Sequence, residues 1–543
     1  MHPKYFELFR QGVSGELELL HCADKVAYFE RYCDLIMVEG QLACIFFTAL
    51  SSDQGFEASQ EAQQAFVYCL DRGMRAMPLH SGILGLYQKL HPSPERETQL
   101  GILKKLDLTE REQQHLYQHR TENRVEDAYD MLLALLRENP AHVGAASALL
   151  ELDFQYARDA DAWTNSFTCP KRLAPLWAQE LFLHFARRGI WKRALPLWEK
   201  LPLEQHSPYA MVYAADNHLL AGDSGNAIKL YSKALRIDPR LAPVRMRLEE
   251  LSSPLRPRQE LLTTRKTAIC LYSWNKGELL EQTLRSLADT DSGKNPIFVL
   301  LNGCTDDSQS RVEAARALFP DRDFHIISLP VNVGAPAARN WLFSLPGVQA
   351  CEYVAYMDDD IILQKDWLAR YLTEMEADPG IGVVGCKVVF PPIPGESSAI
   401  QYIYRSISLP VAGAFKLTYP TPADGIRDTG LYTFSRRCIN VMGCLHLLRA
   451  SAFRDVGGFD LIFSPSQVDD LDHDLCTCLK GYKVVYCGSV RCEHHQVSGI
   501  GAGRGTQRLG SRAYGSIIGN DLKLNYKHAE HMRQLGALAD EIL

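Results

Sequence analysis

An apolar run, Tyr353-Val354-Ala355-Tyr356-Met357, stops on three carboxylates, Asp358-Asp359-Asp360, and apolar residues resume at once with Ile361-Ile362-Leu363. The run has the length and composition of a buried strand. A strand that delivers three adjacent acids to the edge of a core is electrostatically costly, because like charges repel and burial disfavours ionisation. Such a cluster persists where a cation offsets it, and hard divalent ions take carboxylate oxygens. A solvated turn is the plain alternative for three acids in isolation. The flanking sequence decides between them.

On both sides of the acids, strand and helix patterns alternate. Thr267–Tyr272, Ile297–Leu301 and Phe324–Leu329 have strand character, and amphipathic helices are expected over 279–287, 309–318 and 337–343. Alternation of this kind predicts an α/β domain with a mostly parallel sheet covered on both faces. Ligands of such sheets bind beyond the carboxyl ends of the strands. The polar segments fall there: Ser273-Trp274-Asn275, Asn302-Gly303-Cys304, Asn332-Val333-Gly334 and the acids themselves.

The first half of the 543-residue chain has a different grammar. Apolar residues recur at helical spacing up to about residue 255, where the stretch Ser252-Ser253-Pro254-Leu255-Arg256-Pro257-Arg258 suggests a linker. Gly189, Ala194, Leu197 and Trp198 recur at Gly222, Ala227, Leu230 and Tyr231, each 33 positions later. That period is close to the tetratricopeptide value and predicts helix pairs that bury their apolar faces by stacking on one another. The expected organisation is a helical region of unknown role over 1–120, tetratricopeptide-like repeats over 121–255, an α/β domain over 262–500, and a C-terminal loop and helix over 501–543. A generic α-helical bundle is the alternative for the first half.

The segment from about 265 to 500 resembles family 2 glycosyltransferases of the GT-A fold. Leu271-Tyr272-Ser273-Trp274-Asn275 is similar to the family's opening strand and turn, and Asn302-Gly303-Cys304-Thr305-Asp306 to its Asn-Gly-Ser-Thr-Asp loop. Asn332-Val333-Gly334-Ala335-Pro336-Ala337-Ala338-Arg339-Asn340 is similar to Asn-x-Gly-x-x-x-Ala-Arg-Asn, and Asp358-Asp359-Asp360 to the Asp-x-Asp motif. Further on, Val456-Gly457-Gly458-Phe459-Asp460, the acids of 469–474 and His494-His495-Gln496-Val497-Ser498 follow in the family's order. Leu301 stands where the family carries an Asp that helps hold the nucleotide base, so the resemblance does not name the base.

The resemblance implies a metal-dependent, inverting transfer of a sugar from a nucleotide-sugar donor to a protein or glycan acceptor. Asp360 and His495, or its neighbour His494, would hold Mn²⁺ or Mg²⁺, and Asp358 would contact the ribose or the metal's surroundings. Ser273, Trp274, Asn275, Asn302, Asn332, Gly334, Arg339, Asp358 and Asp359 would line the donor site. The acceptor hydroxyl needs a carboxylate base within hydrogen-bond reach. Asp472 is the first candidate and Asp470 the second. The acids of 469–474 also suit a helix N-terminus, where the dipole favours negative charge. Arg339 is equally a phosphate ligand or an internal tie to the acidic loop, and Trp274 is equally a base-stacking or a core residue. A zinc site from Cys476, Cys478, Cys492 and His494 has poor spacing. Residues 391–437 are where an acceptor pocket is expected, and 501–505 suggest a loop able to close over a nucleotide.

A net charge of −7 argues against a nucleic-acid partner. No apolar stretch reaches the length of a membrane span. Fifteen scattered cysteines, many in apolar runs, suit reduced thiols. With no signal-peptide pattern at Met1–Glu7, they make cytoplasmic residence the expectation. Two rival functions remain: a non-catalytic scaffold of repeats carrying a degenerate transferase domain, and a nucleotidyltransferase. The latter normally has a Gly-rich phosphate loop after its first strand, which Ser273–Gly277 does not provide.

Overall fold

Helices run to Ser252, a short helix follows at Leu261–Thr264, and strand–helix alternation begins at Thr267, so the helical part precedes the α/β part as the sequence predicts. The computed structural model describes residues 13–406, 425–495 and 511–542. These divide into two units at residues 245/246, with 393–397 joining the first.

In the first unit the described elements preceding residue 245 are all helical. Val125–Glu138 packs on Val143–Tyr156, Ala174–Arg187 on Trp191–Lys200, and Pro208–Leu220 on Ser224–Ile237. Gly189 and Gly222 turn the last two pairs with φ of +72° and +82°, a left-handed conformation that suits glycine. The residues that recur at 33-position spacing are the packing residues: Ala194 and Ala227 are fully buried, and Trp198 and Tyr231 are enclosed beside them. A buried ion pair, Arg72 to Asp238 at 2.9 Å, ties helix Gln60–Ala76 to the end of Ser224–Ile237. A cavity of about 410 Å³ next to this pair is lined by Tyr68, Arg75, Tyr209 and Arg240 among others. It contains none of the candidate site residues read from the sequence.

The second unit is built on one ten-stranded sheet. Its strands are Thr267–Ser273 (β1), Ile297–Asn302 (β2), Phe324–Leu329 (β3), Tyr353–Met357 (β4), Ile361–Leu363 (β5), Ile381–Val389 (β6), Ile400–Tyr402 (β7), Ser435–Cys438 (β8), Leu445–Arg449 (β9) and Lys483–His494 (β10). The order is β3-β2-β1-β4-β9-β6-β10-β5, with β7 on β6 and β8 on β10. The first four are parallel, joined through helices such as Gly277–Ala288 (α1) and Ala335–Ser344 (α2). Leu280, Leu284 and Leu287 of α1 are fully buried against the apolar faces of β1 and β2. β4 is buried along its whole length, which is why it lacks the alternation of a half-exposed strand.

β9 departs from the parallel pattern. It lies antiparallel to both β4 and β6, Tyr356 opposite His446. The chain reaches β9 from the carboxyl edge of the sheet, where the Asp358 N–H donates to Cys444 O at 2.9 Å. Three helices complete the region: Asp469–Leu479 (α3), Ser511–Lys527 (α4) and Met532–Ile542 (α5). No described helix is long and apolar enough to cross a membrane, and all fifteen cysteines are unpaired.

Candidate active site

β1, β2 and β4 end together, so the turns that follow them, with Ser273, Asn302 and Asp358, meet at one edge of the sheet. The β1 turn is locked to the β2 turn by side chain–backbone bonds. Asn275, with φ of +53°, accepts from Thr305 N–H at 2.7 Å, and Cys304 Sγ donates to Ser273 O at 3.3 Å. Asn302 donates to Asn332 Oδ1 at 3.0 Å and accepts from Val333 N–H at 2.9 Å, while Asn332 also accepts from Gly334 N–H at 2.8 Å. These asparagines shape the turns. Gly303 is the tightest point: with φ of +70°, a Cβ there would lie 2.3 Å from Asn332 N. Gly334 (φ +84°) opens α2 with its backbone against Pro465. Trp274 is 54% exposed at the same edge, so it is no core residue.

Asp359 and Asp360 are buried, 6% and 3% exposed. The loop is pinned directly after them: Thr283 of α1 both accepts from Ile361 N–H and donates to Ile361 O at 3.0 Å. Antiparallel pairing of β5 with β10 sets His494 opposite Ile361. This register selects between the two histidines. The His494 ring joins Asp358 and Asp360 in a group whose ligand atoms all lie within 4.8 Å of one another. His495 contributes its backbone instead, its N–H donating to Asp360 O at 2.8 Å. Of the two neighbours the sequence offered, the His494 ring lies with the two acids, and His495 meets Asp360 through its backbone. His494 Nδ1 meets Gln401 Oε1 at 3.1 Å, a contact that fixes the ring.

His494 Nε2 stands 3.1 Å from Asp360 Oδ1, yet the two are not aligned as a hydrogen bond, and Oδ1 accepts none from any described residue. Two carboxylates and an imidazole, with one buried oxygen left open between them, suit a divalent ion such as Mn²⁺ or Mg²⁺. The other Asp360 oxygen is taken. Lys276, at the N-terminus of α1, places Nζ 2.8 Å from Asp360 Oδ2 and 3.1 Å from Asp359 Oδ1. Burial pushes the Asp359 carboxyl up to about 6 although the Lys276 ammonium opposes it. Desolvation acts on Asp360 too, but His494 and Lys276 together outweigh it and hold that carboxyl below the usual range.

Arg339 is an internal tie. Its guanidinium is 4% exposed, donates to Asp469 and to Gly443 O (3.3 Å), stands 3.7 Å from Asp358, and packs over the rings of Tyr272 and Phe459 at 5.1 Å each. Tyr272 donates to Asp358 Oδ1 at 2.9 Å. Burial pushes Asp469 up to about 6, with Arg339 acting against it.

The acids of α3 divide between the faces of the helix. Asp470 accepts from Gly443 N–H at 2.9 Å, next to the carbonyl that receives Arg339, on the same side as Asp358. Asp472 is held elsewhere: Lys527 Nζ and His528 Nε2, at the end of α4, occupy its two oxygens at 2.8 Å each. Asp474 accepts from Asn440 and from Val441 N–H. Asp472, the first candidate for the base, is thus held by the end of α4. Val468 and Gln467, just before α3, have φ of +74° and +82°, a strained conformation for such side chains. Asn520 of α4 braces this stretch by donating to Phe463 O, Ser466 O and Gln467 O.

The suggested zinc ligands do not converge. Cys476 groups with Asp472 and His528, and His494 with the acid loop. Residues 496–498 and the loop 501–505 lie outside the described residues, as does the middle of the expected acceptor segment, 407–424. Sequence reasoning did not find Lys276, Tyr272, Gln401, Lys527 or His528. Only Lys276 carried a local signal, as a cation one residue beyond the β1 turn.

Residues 268–456 match the family described as Glycosyl transferase family 2. A stretch of 158 residues is 28% identical to the Pre-mycofactocin glycosyltransferase of Mycobacterium tuberculosis, strains CDC 1551 / Oshkosh and ATCC 25618 / H37Rv, covering 28% of this chain. The match spans only 28% of the length of these curated relatives. Among solved structures, GalNAc-T7 with UDP, GalNAc and Mn²⁺ is similar at 14% identity over 42% of this chain and 44% of that one, with a TM-score of 0.35. The mannosyltransferase PcManGT from Pyrobaculum calidifontis, in complex with GDP-Man and Mn²⁺, is similar at 17% identity over 57% and 84%, with a TM-score of 0.34.

Proposed function

We propose that this chain, which carries a family 2 glycosyltransferase domain at residues 268–456, moves a sugar from a nucleotide-sugar donor to an acceptor hydroxyl with help from a divalent ion. The observation that carries the proposal is the convergence of Asp358, Asp360 and His494 at the edge where β1, β2 and β4 end. Asp360 and His494 would hold the ion, with Asp358 beside it. A Mn²⁺ or Mg²⁺ ion bound there supplies Lewis-acid neutralisation of the leaving diphosphate.

The chain's own groups do the rest. The turns at Ser273–Asn275, Asn302–Gly303 and Asn332–Gly334 form the floor on which a nucleotide rests, and Trp274 offers an exposed ring beside it. Arg339 fixes Asp358 and Asp469 rather than binding the donor. Asp470 is the base in this reading, because its oxygens meet the backbone N–H groups of Gly443 and Leu471, beside Arg339, while both oxygens of Asp472 are held by the cations Lys527 and His528. It accepts the acceptor hydroxyl's proton as that oxygen attacks the anomeric carbon from the side opposite the diphosphate, which inverts the centre. Leu301 is buried in the apolar core at the end of β2, so recognition of the base falls to the surrounding turns. The helical unit, in the same proposal, is a tetratricopeptide-like array that receives a protein or glycan acceptor.

The test is release of nucleoside diphosphate from UDP- and GDP-hexoses by purified protein with Mn²⁺. The proposal expects release from at least one donor, lost on chelation and in Asp360→Ala. Equal release by Asp360→Ala would refute the metal site, and no release from any donor would favour the scaffold.

A further inference from the structure

The acid loop already contains a cation. Lys276 Nζ bridges Asp359 Oδ1 and Asp360 Oδ2 at 3.1 and 2.8 Å, on a side chain that is 23% exposed while the acids it holds are buried. Among the described residues a second cation, Arg339, stands near these acids, and it is committed to Asp469, Gly443 O and the Asp358 side. The ammonium therefore occupies one of the two oxygens of the carboxylate that, with His494, forms the metal site. Asp360 Oδ1 faces His494 Nε2, and Asp360 Oδ2 faces Lys276.

Two features make this contact exchangeable rather than architectural. Lysine is a compact point charge on a flexible four-carbon stem, unlike the planar fork of arginine. It also springs from the residue just before α1, at the rim of the turn Ser273–Asn275, so its root is fixed while its tip can swing. An ammonium this close to Asp360 repels a bare divalent ion, whereas a metal–diphosphate pair brings its own anionic oxygens as a new partner for the lysine.

We propose that Lys276 is a resident counter-cation of the acid loop. It weakens binding of the bare ion and transfers to the diphosphate when donor and metal enter together. The inference rests on the metal site and donor class proposed above. It makes metal binding conditional on the donor, and it gives Lys276 effects of opposite sign on two ligands. A lysine that merely stabilised the loop would change both in the same direction.

The experiment measures binding of Mn²⁺ alone to the full chain, by loss of the free-ion EPR signal, for wild type, Lys276→Met and Lys276→Arg. A second arm measures UDP and GDP binding at saturating Mn²⁺. With the ammonium gone, Mn²⁺ is expected to bind Lys276→Met at least about tenfold more tightly than wild type, since a unit charge on the same carboxylate is strongly felt at a partly buried site. The nucleoside diphosphate should bind that variant at least about tenfold more weakly, with the loss of a charge-assisted contact. Lys276→Arg, which keeps the charge, should stay near wild type in the Mn²⁺ arm. Unchanged or weaker Mn²⁺ binding by Lys276→Met, or no Mn²⁺ binding by any variant, overturns the proposal. So does tighter binding of both ligands. The Mn²⁺ arm needs neither donor nor turnover, so it can fail while the glycosyltransferase reading stands, and the converse also holds. If Lys276→Met does not fold, Lys276→Gln replaces it, with the same expected signs.

Discussion

Replacing Arg339 by methionine removes the charge at the centre of the site while keeping most of the stem's volume. In the native protein the guanidinium is 4% exposed and lies among Asp469, Asp358 at 3.7 Å, Gly443 O, and the rings of Tyr272 and Phe459. Breaking a buried pair from one side leaves an uncompensated carboxylate and costs about 3–5 kcal/mol. With a urea m-value of about 3 kcal/mol/M, that cost lowers the midpoint of the second unit's transition by about 1 M or more. The sign of the pH dependence follows from Asp469. Its carboxyl is pushed up to about 6 by burial even with Arg339 present, and without the guanidinium it rises further. A carboxyl whose folded pKa exceeds its unfolded value destabilises the fold when ionised; that penalty is full above the folded value, shrinks as pH falls below it and is gone below the unfolded value. The deficit of Arg339→Met relative to wild type should therefore be largest near pH 8 and shrink by pH 5.5. Adding Asp469→Asn should recover much of the loss at pH 8. Urea melts of the four proteins at both pH values test this. A loss below about 1 kcal/mol, or one that does not change with pH, would refute the picture of Arg339 as a tie between buried acids.

Other consequences are separable. Asp470→Asn should lower transfer at least about a hundredfold with nucleotide binding retained, the signature of a lost general base. Asp472→Asn should instead lower the melting temperature, with activity falling only in step with folding. A reversed pattern would return the base to Asp472. His494→Ala should abolish Mn²⁺-dependent stabilisation by nucleoside diphosphate while His495→Ala leaves it intact, and equal losses would show that the strand register does not choose the ligand. His473 is buried against Phe453 and Phe459 and is lowered to about 4, chiefly by desolvation. Its contribution to stability is complete above the unfolded value near 6.5 and is lost as pH falls through about 4. His473→Leu should flatten the acid side of the stability curve by up to about 3 kcal/mol. An unchanged acid limb in urea melts would show that another group controls it.

The acid loop was legible in the sequence because two local signals coincide there: an apolar run long enough for a buried strand, and a charge cluster with no helical spacing. The helix pairs at 174–200 and 208–237 were legible for a similar reason, since their repeated small and aromatic residues are the packing residues. What sequence could not fix was register and face. His494 and His495 are equivalent as a dipeptide, and only the long-range pairing of β10 with β5 turns one toward Asp360. Asp470 and Asp472 differ by two positions, which on a helix is roughly 200° and so means opposite faces. The two candidates for the base therefore have different partners, Asp470 the Gly443 N–H and Asp472 the end of α4. Lys527 and His528 lie more than fifty residues from the acid they hold, and no local pattern announces such a contact.

The most direct test of the metal-dependent donor site is a thermal-shift panel of UDP-, GDP-, CMP- and dTDP-sugars, with and without Mn²⁺, on wild type and Asp360→Ala. A ligand that binds only the native state raises the melting temperature by mass action. A shift is expected with one nucleotide class, requiring Mn²⁺ and disappearing in Asp360→Ala. A shift of the same size without metal, or one retained in Asp360→Ala, would contradict it.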